Sequence, residues 1–325
     1  MQSDFLFALT NPRTEKALKL EVESMGLGWR LSYQRKGFVT FKGEEPFTLD
    51  SLQAEIACAR RLCLSLGKAA SHAEAKDLLG EIKVLHQARY QDRGMRGVPL
   101  EADKNHPHPD ELVGTIVKLG EEEFWTGIHR HQKHLSRDPA GDAGLVMPET
   151  SPSRAWLKLE EAIRFFGLQF SEKDIAVELG AAPGGVVLAL LNRGVSVIGV
   201  DPANLDDVVM KQAIPKRSQA PQDQAWFYHC RKPAALVSKK ELGRGVTWFL
   251  SDMNQSPEVI LKECARFCQM APTIRGALMT LKLTDPTQVA EKEAWFATLR
   301  EMEFSKIRLQ LLRPHHRELA LLAQR

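Results

Sequence analysis

The sequence predicts an α/β chain whose larger part is a mostly parallel sheet with a terminal antiparallel hairpin, preceded by a smaller α+β region. Three observations predict it. From Ser153 onward, strand-like and helix-like runs alternate, as in a parallel sheet covered on both faces. Before residue 132, strand-like runs follow one another closely, as in an antiparallel sheet with helices on one face. Between the two lies "KHLSRDPAGDAGLVMPETS", rich in Pro, Gly and Asp, which reads as a linker. The expected division is residues 1–68, residues 69–132, a flexible linker over 133–151, and residues 152–325.

The elements follow in order. "DFLFAL" is an apolar strand, and "PRTEKALKLEVESMG" has helical spacing and stops at Gly26. "GWRLSY" and "GFVTFKG" are strands separated by "QRK". "TLDSLQAEIACARRLCLSLGKA" carries apolar residues at helical spacing, with Thr48 or Asp50 as its cap. The order βαββα suggests a small ferredoxin-like layer over 1–68. A further helix, "AEAKDLLGEIKVLHQARYQ", then precedes the strands "ELVGTIVKL" and "EFWTGIHRH", joined by "GEEE". After the linker, Ser153 is placed to cap the helix "RAWLKLEEAIRFFG". The strand "DIAVELG", a glycine turn, the helix "GGVVLALLNRG" and the strand "VSVIGVDP" follow. Later strands are "GVTWFLSD", "GALMTLKL", "KIRLQLLRP" and "ELALLAQ", and later helices "PEVILKECARFCQMA" and "DPTQVAEKEAWFATLREM". The last two strands are separated by "HHR", which predicts the antiparallel hairpin.

Composition narrows the class. At 43% hydrophobic and 26% charged, the chain has the profile of a globular protein with a sizeable core. No apolar run reaches the length of a membrane span, and the N-terminus has no leader pattern, so a cytoplasmic protein without a membrane partner is expected. Five cysteines, an odd number without CxxC spacing, exclude a disulfide framework or a cysteine zinc site and read as inert buried thiols. Residues 1–150 hold 20 Lys+Arg against 22 Asp+Glu, and the remainder 24 against 19, so the later part is mildly basic and compatible with a polyanionic substrate.

"VELGAAPGGVVLALLNRGVSVIGVD" (177–201) is the informative stretch. It reads strand, turn, helix, strand, and "GAAPGG" meets a degenerate dinucleotide fingerprint with Ala182 at the middle glycine. A cofactor is expected across Gly180, Ala181, Pro183, Gly184 and Gly185. Gly184 and Gly185 would let it approach the backbone, and Asp201 would reach its ribose hydroxyls. To this point a nicotinamide enzyme and an S-adenosylmethionine enzyme look alike. The Pro-Gly-Gly turn suits an amino-acid tail better than a pyrophosphate, and the terminal hairpin is unlike a plain dinucleotide domain. Both favour S-adenosyl-L-methionine.

"LGAAPGG", taken with "PSRAWLKLEEA", "FLSDM", "LKL" and "HHRELALLA", resembles the FtsJ/RrmJ group of RNA ribose 2′-O-methyltransferases. Within that group it resembles the RlmM type, which acts on cytidine of bacterial large-subunit rRNA. The resemblance covers Pro152 to the C-terminus and implies a Rossmann-like methyltransferase domain. "FLFALTNPRTEKALKLEVE" and "GTIVKLGEEEFWTGI" resemble more distantly the ferredoxin-like and THUMP RNA-binding modules of the same family, the THUMP-like portion being short.

The resemblance implies a Lys-Asp-Lys-Glu set, which falls on Lys158, Asp252, Lys282 and Glu318. A ribose hydroxyl attacks poorly until a base takes its proton. A lysine can be that base if desolvation or a neighbouring cation brings its pKa towards neutrality. Lys282 is expected as general base, with Lys158 lowering its pKa and positioning the hydroxyl. Asp252 would hold the lysines and orient attack, and Glu318 would fix Lys158 or the ribose. Arg154, one turn before Lys158, is expected to contact phosphate. Two positions depart from the family pattern: Val186 stands where Trp is usual, and Cys230 stands at or near the acidic residue that meets adenine.

"SDMN" lacks the Pro-Pro-aromatic run of base-amino methyltransferases, and no cysteine is placed for C5 methylation. His129, His131 and His134 in "GIHRHQKHLSR" have no Asp, Glu or Cys at ligand spacing. The segment is expected to be a surface that touches RNA through residues such as Arg130 and Lys133, without a metal. The leading function is ribose 2′-O-methylation of rRNA; the alternative is an RNA-binding protein on a methyltransferase scaffold with weak or no catalysis. A nicotinamide oxidoreductase lacks a hydride-transfer constellation.

Overall fold

The computed structural model describes residues 1–82, 84–91, 94–98 and 106–325. The chain divides into two units. The first comprises 1–144 with the segments 285–290 and 310–317; the second comprises 145–284, 291–309 and 318–325.

The first unit contains β1 (Gln2–Leu9), α1 (Glu15–Ser24), β2 (Arg30–Arg35), β3 (Phe38–Thr48), β4 (Arg61–Ala69), α2 (His72–Asp77), β5 (Val84–Gln91), β6 (Gly94–Gly97), β7 (Leu112–Gly120) and β8 (Glu123–Arg130). They form one eight-stranded sheet in the order β2-β3-β1-β4-β8-β7-β5-β6. No sheet boundary falls at 68/69, because β4 pairs with β1 on one side and β8 on the other. Phe7, Leu9, Phe38, Cys63, Val117 and Trp125 build a core on one face.

Two expected helices are strands. The run 48–69 supplies a short 3-10 turn and then β4, and 73–91 supplies α2 and then β5. In β4, Leu62, Leu64 and Leu66 alternate as readily as they repeat at helical spacing. A central strand with hydrogen bonds on both sides settles that ambiguity for strand. In the second run, Gly80 takes φ +58° just after α2 and stops the helix, a signal the apolar period overran. The expected linker is in large part packed. Pro139, Ala140 and Gly141 are buried, and Arg60 donates from Nη1 to Ala140 O at 2.7 Å. The segment 310–317 is held in the same unit: Asn11 Nδ2 donates to Leu312 O and His315 O, each at 2.9 Å.

The second unit contains α3 (Ala155–Phe166), β9 (Ile175–Leu179), α4 (Gly185–Leu191), β10 (Ser196–Val200), α5 (Asp207–Met210), β11 (Phe227–Cys230), α6 (Lys239–Leu242), β12 (Trp248–Ser251), α7 (Pro257–Met270), β13 (Gly276–Lys282), α8 (Lys292–Glu301), β14 (Lys306–Gln310) and β15 (Glu318–Gln324). The sheet order is β11-β10-β9-β12-β13-β15-β14. β9 through β13 run parallel to their neighbours, and β15 turns back antiparallel to β13. The longer strands and helices fall where the alternation places them; β11, α5 and α6, each four residues long, were not expected. Ser153 does not cap α3, whose N-cap is Arg154 without a side-chain bond. The strand order reverses between β9 and β12. In an open α/β sheet, a crevice forms at the carboxyl ends of the strands beside such a reversal.

Candidate active site

The carboxyl edge of the second unit's sheet gathers most of the residues singled out from sequence. Gly180 follows β9, Asp201 follows β10, Cys230 ends β11, Asp252 follows β12, Lys282 ends β13, and Glu318 opens β15 in register with Lys282. The chain ends at the reversal are tied together: Gly180 N donates to Val200 O at 3.0 Å and Asp252 N to Leu179 O at 3.1 Å.

Lys158, brought in by α3, closes a ring of alternating charge. Its Nζ lies 2.9 and 3.1 Å from the two carboxylate oxygens of Asp252 and 2.8 Å from Glu318 Oε1. Lys282 Nζ lies 3.1 Å from Asp252 Oδ1 and is bonded to Glu318 Oε2. Each lysine therefore bridges both carboxylates, and the four side chains are between 6% and 17% exposed. Two cations and two anions at these separations leave the ring neutral and stiff. Removing one member would strand a half-buried charge, a loss of about 3–5 kcal/mol for fully buried pairs and less here.

The ring changes the expected basicity of Lys282. Burial pulls its ammonium down, but the charges of Asp252 and Glu318, and hydrogen bonds to both, outweigh burial and raise the pKa above the ordinary lysine value. In this arrangement Lys282 keeps its proton, contrary to a lysine already brought towards neutrality by Lys158.

The glycine turn is built by protein packing. Gly180 and Gly184 adopt φ +79° and +116°, where side chains are strained. A Cβ on Gly180 would sit 3.0 Å from Met253 N, and one on Gly184 would sit 2.8 Å from Val209 Cγ2. On Gly185 it would meet Ser153 Oγ and lie 2.9 Å from both Ser153 O and Trp156 N. The small residues that were expected to admit a ligand are thus already required by the chain's own contacts. Ala181 is buried and Pro183 lies in the turn between Ala182 and Gly184. Val186 is buried in α4, a core residue of this domain.

Asp201 does more than await a ribose. Its Oδ2 accepts from Ala182 N at 3.1 Å and its Oδ1 from Ala203 N at 2.8 Å, so the carboxylate fastens the turn to the end of β10. Asp201→Ala is expected to weaken S-adenosylmethionine binding at least tenfold and also to lower the melting temperature by a few degrees, since two backbone donors lose their acceptor. Titration calorimetry with thermal melts checks both; unchanged affinity in the folded variant refutes the placement. Cys230 is buried and pairs with Val200, and its carbonyl accepts from Asp201 N at 3.3 Å.

Sequence reasoning passed over Glu178, in β9 two residues before Gly180. It is 2% exposed, and its Oε2 is shut from solvent without a hydrogen-bond partner. Burial, and then the charges of Asp252 and Asp201, raise its pKa well above the usual carboxylate value. An acid inside an apolar strand was the available signal, masked by the attention the glycines attract.

The histidine segment is a surface only in part, with Arg130, Lys133 and His134 exposed and two of its histidines buried. His129 and His131 are buried with His86 around the buried guanidinium of Arg61, whose Nη1 lies 2.8 Å from His129 Nε2. Burial first, and then the charge of Arg61, lower His86 to about 2, His131 to about 4 and His129 well below its ordinary value. That guanidinium also opposes a cation, and among the described residues no group of three or more His, Cys, Asp or Glu is set to hold a metal. Arg130 and Lys133 are exposed, and Arg130 donates to Asp110 O at 2.9 Å. Arg154 is exposed at the start of α3.

The histidines set a pH dependence. Their folded pKa values lie below the unfolded value near 6.5, so the unfolded chain binds more protons below that pH. Their stabilising contribution is complete above about pH 6.5 and is lost as pH falls towards 4. The midpoint of urea unfolding, followed through a first-unit tryptophan, is expected to drop between pH 7 and 5, with a slope of up to about 1.4 kcal/mol per pH unit for each histidine. A flat profile would show that they are not held neutral.

Comparison with known proteins bears on the domain that holds this site. Residues 152–270 match the model of the FtsJ-like methyltransferase family. The chain is 45% identical over 217 residues to the ribosomal RNA large subunit methyltransferase M of Laribacter hongkongensis, covering 58% of this chain and 60% of that protein. It is 30% identical over 180 residues to the protein of that name from Teredinibacter turnerae, covering 53% and 46%. With the Marinomonas protein of that name it is 30% identical over 154 residues, covering 46% and 39%. The matched stretches span from 39% to 60% of these relatives' own lengths. Residues 152–270 are thus similar to FtsJ-like methyltransferases, and the chain is similar, over part of their length, to ribosomal RNA large subunit methyltransferases M.

Proposed function

We propose that the chain is an S-adenosylmethionine-dependent ribose 2′-O-methyltransferase acting on RNA, with large-subunit rRNA as its substrate. The observation that carries this is the closed ring of Lys158, Asp252, Lys282 and Glu318 at the strand-order reversal, beside the glycine turn. The residues fit the cofactor: an orphaned acid, Glu178, and two further carboxylates, Asp201 and Asp252, converge on one edge and suit a ligand carrying positive charge. Asp201 and the turn 180–185 would hold it, Cys230 would flank it, and Asp252 would lie at its methionine end. Bound there, S-adenosylmethionine supplies a sulfonium-activated methyl.

Lys282 is the proposed proton acceptor for the ribose hydroxyl. Its raised pKa means that fewer than about one amine in a thousand is free at pH 7 in the resting ring. A cationic ligand beside Asp252 competes for that carboxylate and pulls the lysine down. Lys158 positions the hydroxyl, and Glu318 keeps both lysines aimed. Arg154, with Arg130 and Lys133 in the first unit, is proposed to meet RNA phosphates, and the first unit is proposed to choose the RNA.

The completeness of the ring disfavours the alternative of a scaffold without catalysis. The deciding experiment maps 2′-O-methylation in rRNA from cells with and without the gene, paired with methyl transfer in vitro. One cytidine losing its methyl in the deletion is expected; an unchanged map with no transfer to rRNA in vitro overturns the reading. Transfer rates should climb with pH as Lys282 is freed, without the acid-limb plateau near pH 6 that a carboxylate base would give.

A further inference from the structure

Three acids stand at the cleft edge, and their partners differ. Asp201, after β10, is held by two backbone N–H groups. Asp252, after β12, is bonded by both lysines. Glu178, on β9 between them, has no donor for its Oε2 and no cation within ion-pair distance among the described residues. The two lysines bonded to its neighbour Asp252, Lys158 from α3 and Lys282 from β13, are each also bonded to Glu318. Cys230, at the end of β11, brings no positive charge. In register, Glu178 lies opposite Gly199 on β10 and Leu250 on β12, neither of which can answer its carboxyl.

A fully buried carboxylate with two like charges nearby and no partner is costly, so the acid stays protonated until a positive charge reaches it. We propose that Glu178 is the charge sensor of the cleft: it holds a proton in the free protein and releases that proton to solvent when a cationic ligand enters, so that cofactor binding is coupled to proton release. This rests on the cleft being the S-adenosylmethionine site, and it goes beyond that reading by assigning Glu178 a part in ligand choice. The cofactor offers two positive groups, the ammonium of its amino-acid tail and the sulfonium. The demethylated product, S-adenosylhomocysteine, keeps the ammonium alone. Where the sulfonium is sensed, Glu178 favours substrate over product and lessens product inhibition.

The test is titration calorimetry of the full chain with each ligand at pH 7 in two buffers of different ionisation enthalpy. About one proton released per S-adenosylmethionine bound is expected in the native protein. Glu178→Gln is expected to release none from this site and to bind at least tenfold more weakly. Release with both ligands identifies the ammonium; release with S-adenosylmethionine alone identifies the sulfonium. Lys282 can also lose a proton on binding, so the count must fall in Glu178→Gln; an unchanged count overturns the proposal. Native-protein infrared difference spectra give a reading that needs no variant. The carbonyl stretch of a protonated carboxyl should vanish on binding, and a spectrum without that loss overturns the proposal. Absence of any binding heat in the native protein overturns the cofactor reading itself.

Discussion

Lys282→Arg is expected to leave the ion-pair ring closed and to lower methyl transfer by at least about a thousandfold. A guanidinium can take up the contacts to Asp252 and Glu318, so the charge balance survives, but it does not give up its proton in a protein. General-base catalysis contributes roughly 10²–10⁴ in rate, and a permanently protonated group forfeits all of it. Lys282→Ala removes the proposed base and also leaves two carboxylates sharing Lys158, so it should lose both activity and stability. The arginine variant isolates proton transfer. Single-turnover transfer at saturating cofactor and RNA is the measurement, with cofactor affinity checked separately. Turnover near the native rate would show that the lysine serves as an electrostatic clamp and that the proton goes elsewhere.

Gly185→Val should be nearly as damaging without touching any ionisable group. A Cβ at this position meets Ser153 and Trp156, and the backbone there cannot yield without moving the start of α3. Overpacking of this kind costs about 1–3 kcal/mol, which for a domain of this size lowers the melting temperature by several degrees. The same shift carries Lys158, one turn further along α3, away from Asp252 and Glu318. A displacement of about an ångström is enough to cost a hundredfold in rate. Loss of activity together with a lower melting temperature is therefore expected, and Gly185→Ala should show a smaller loss of both. A variant that melts and turns over like the native protein would mean that α3 is not seated through this glycine.

The histidine segment shows where local pattern runs out. "GIHRHQKH" is polar and charged, so solvent exposure was the natural expectation. Burial of His129 and His131 depends on Arg61, nearly seventy residues away, and on the carbonyls of Ser136 and Asp138 that receive its guanidinium. No local window contains that pairing. The linker tells the same story: Pro, Gly and Asp mark irregular backbone, yet irregular backbone packs when Arg60 and Arg61 supply donors for its carbonyls.

The sequence by itself determined the architecture of the second unit. Buried parallel strands must be continuous apolar runs and their covering helices must be periodic, so the elements of that unit write local signatures, apart from the four-residue β11, α5 and α6. The glycine turn was legible for a related reason, since it sits where an element ends and is marked by Gly and Pro, whereas the four ring residues were expected from the family resemblance. Tertiary structure alone decided whether 61–69 and 84–91 became strands, because a short apolar run satisfies either period until neighbouring strands offer it hydrogen bonds. It also decided the ionisation of the site. Lys282 is held protonated by carboxylates contributed by β15 and the end of β12, and burial with the charges of Asp252 and Asp201 raises the pKa of Glu178. A pKa is set by the charges and water within a few ångströms, and residues from four separate elements supply them here.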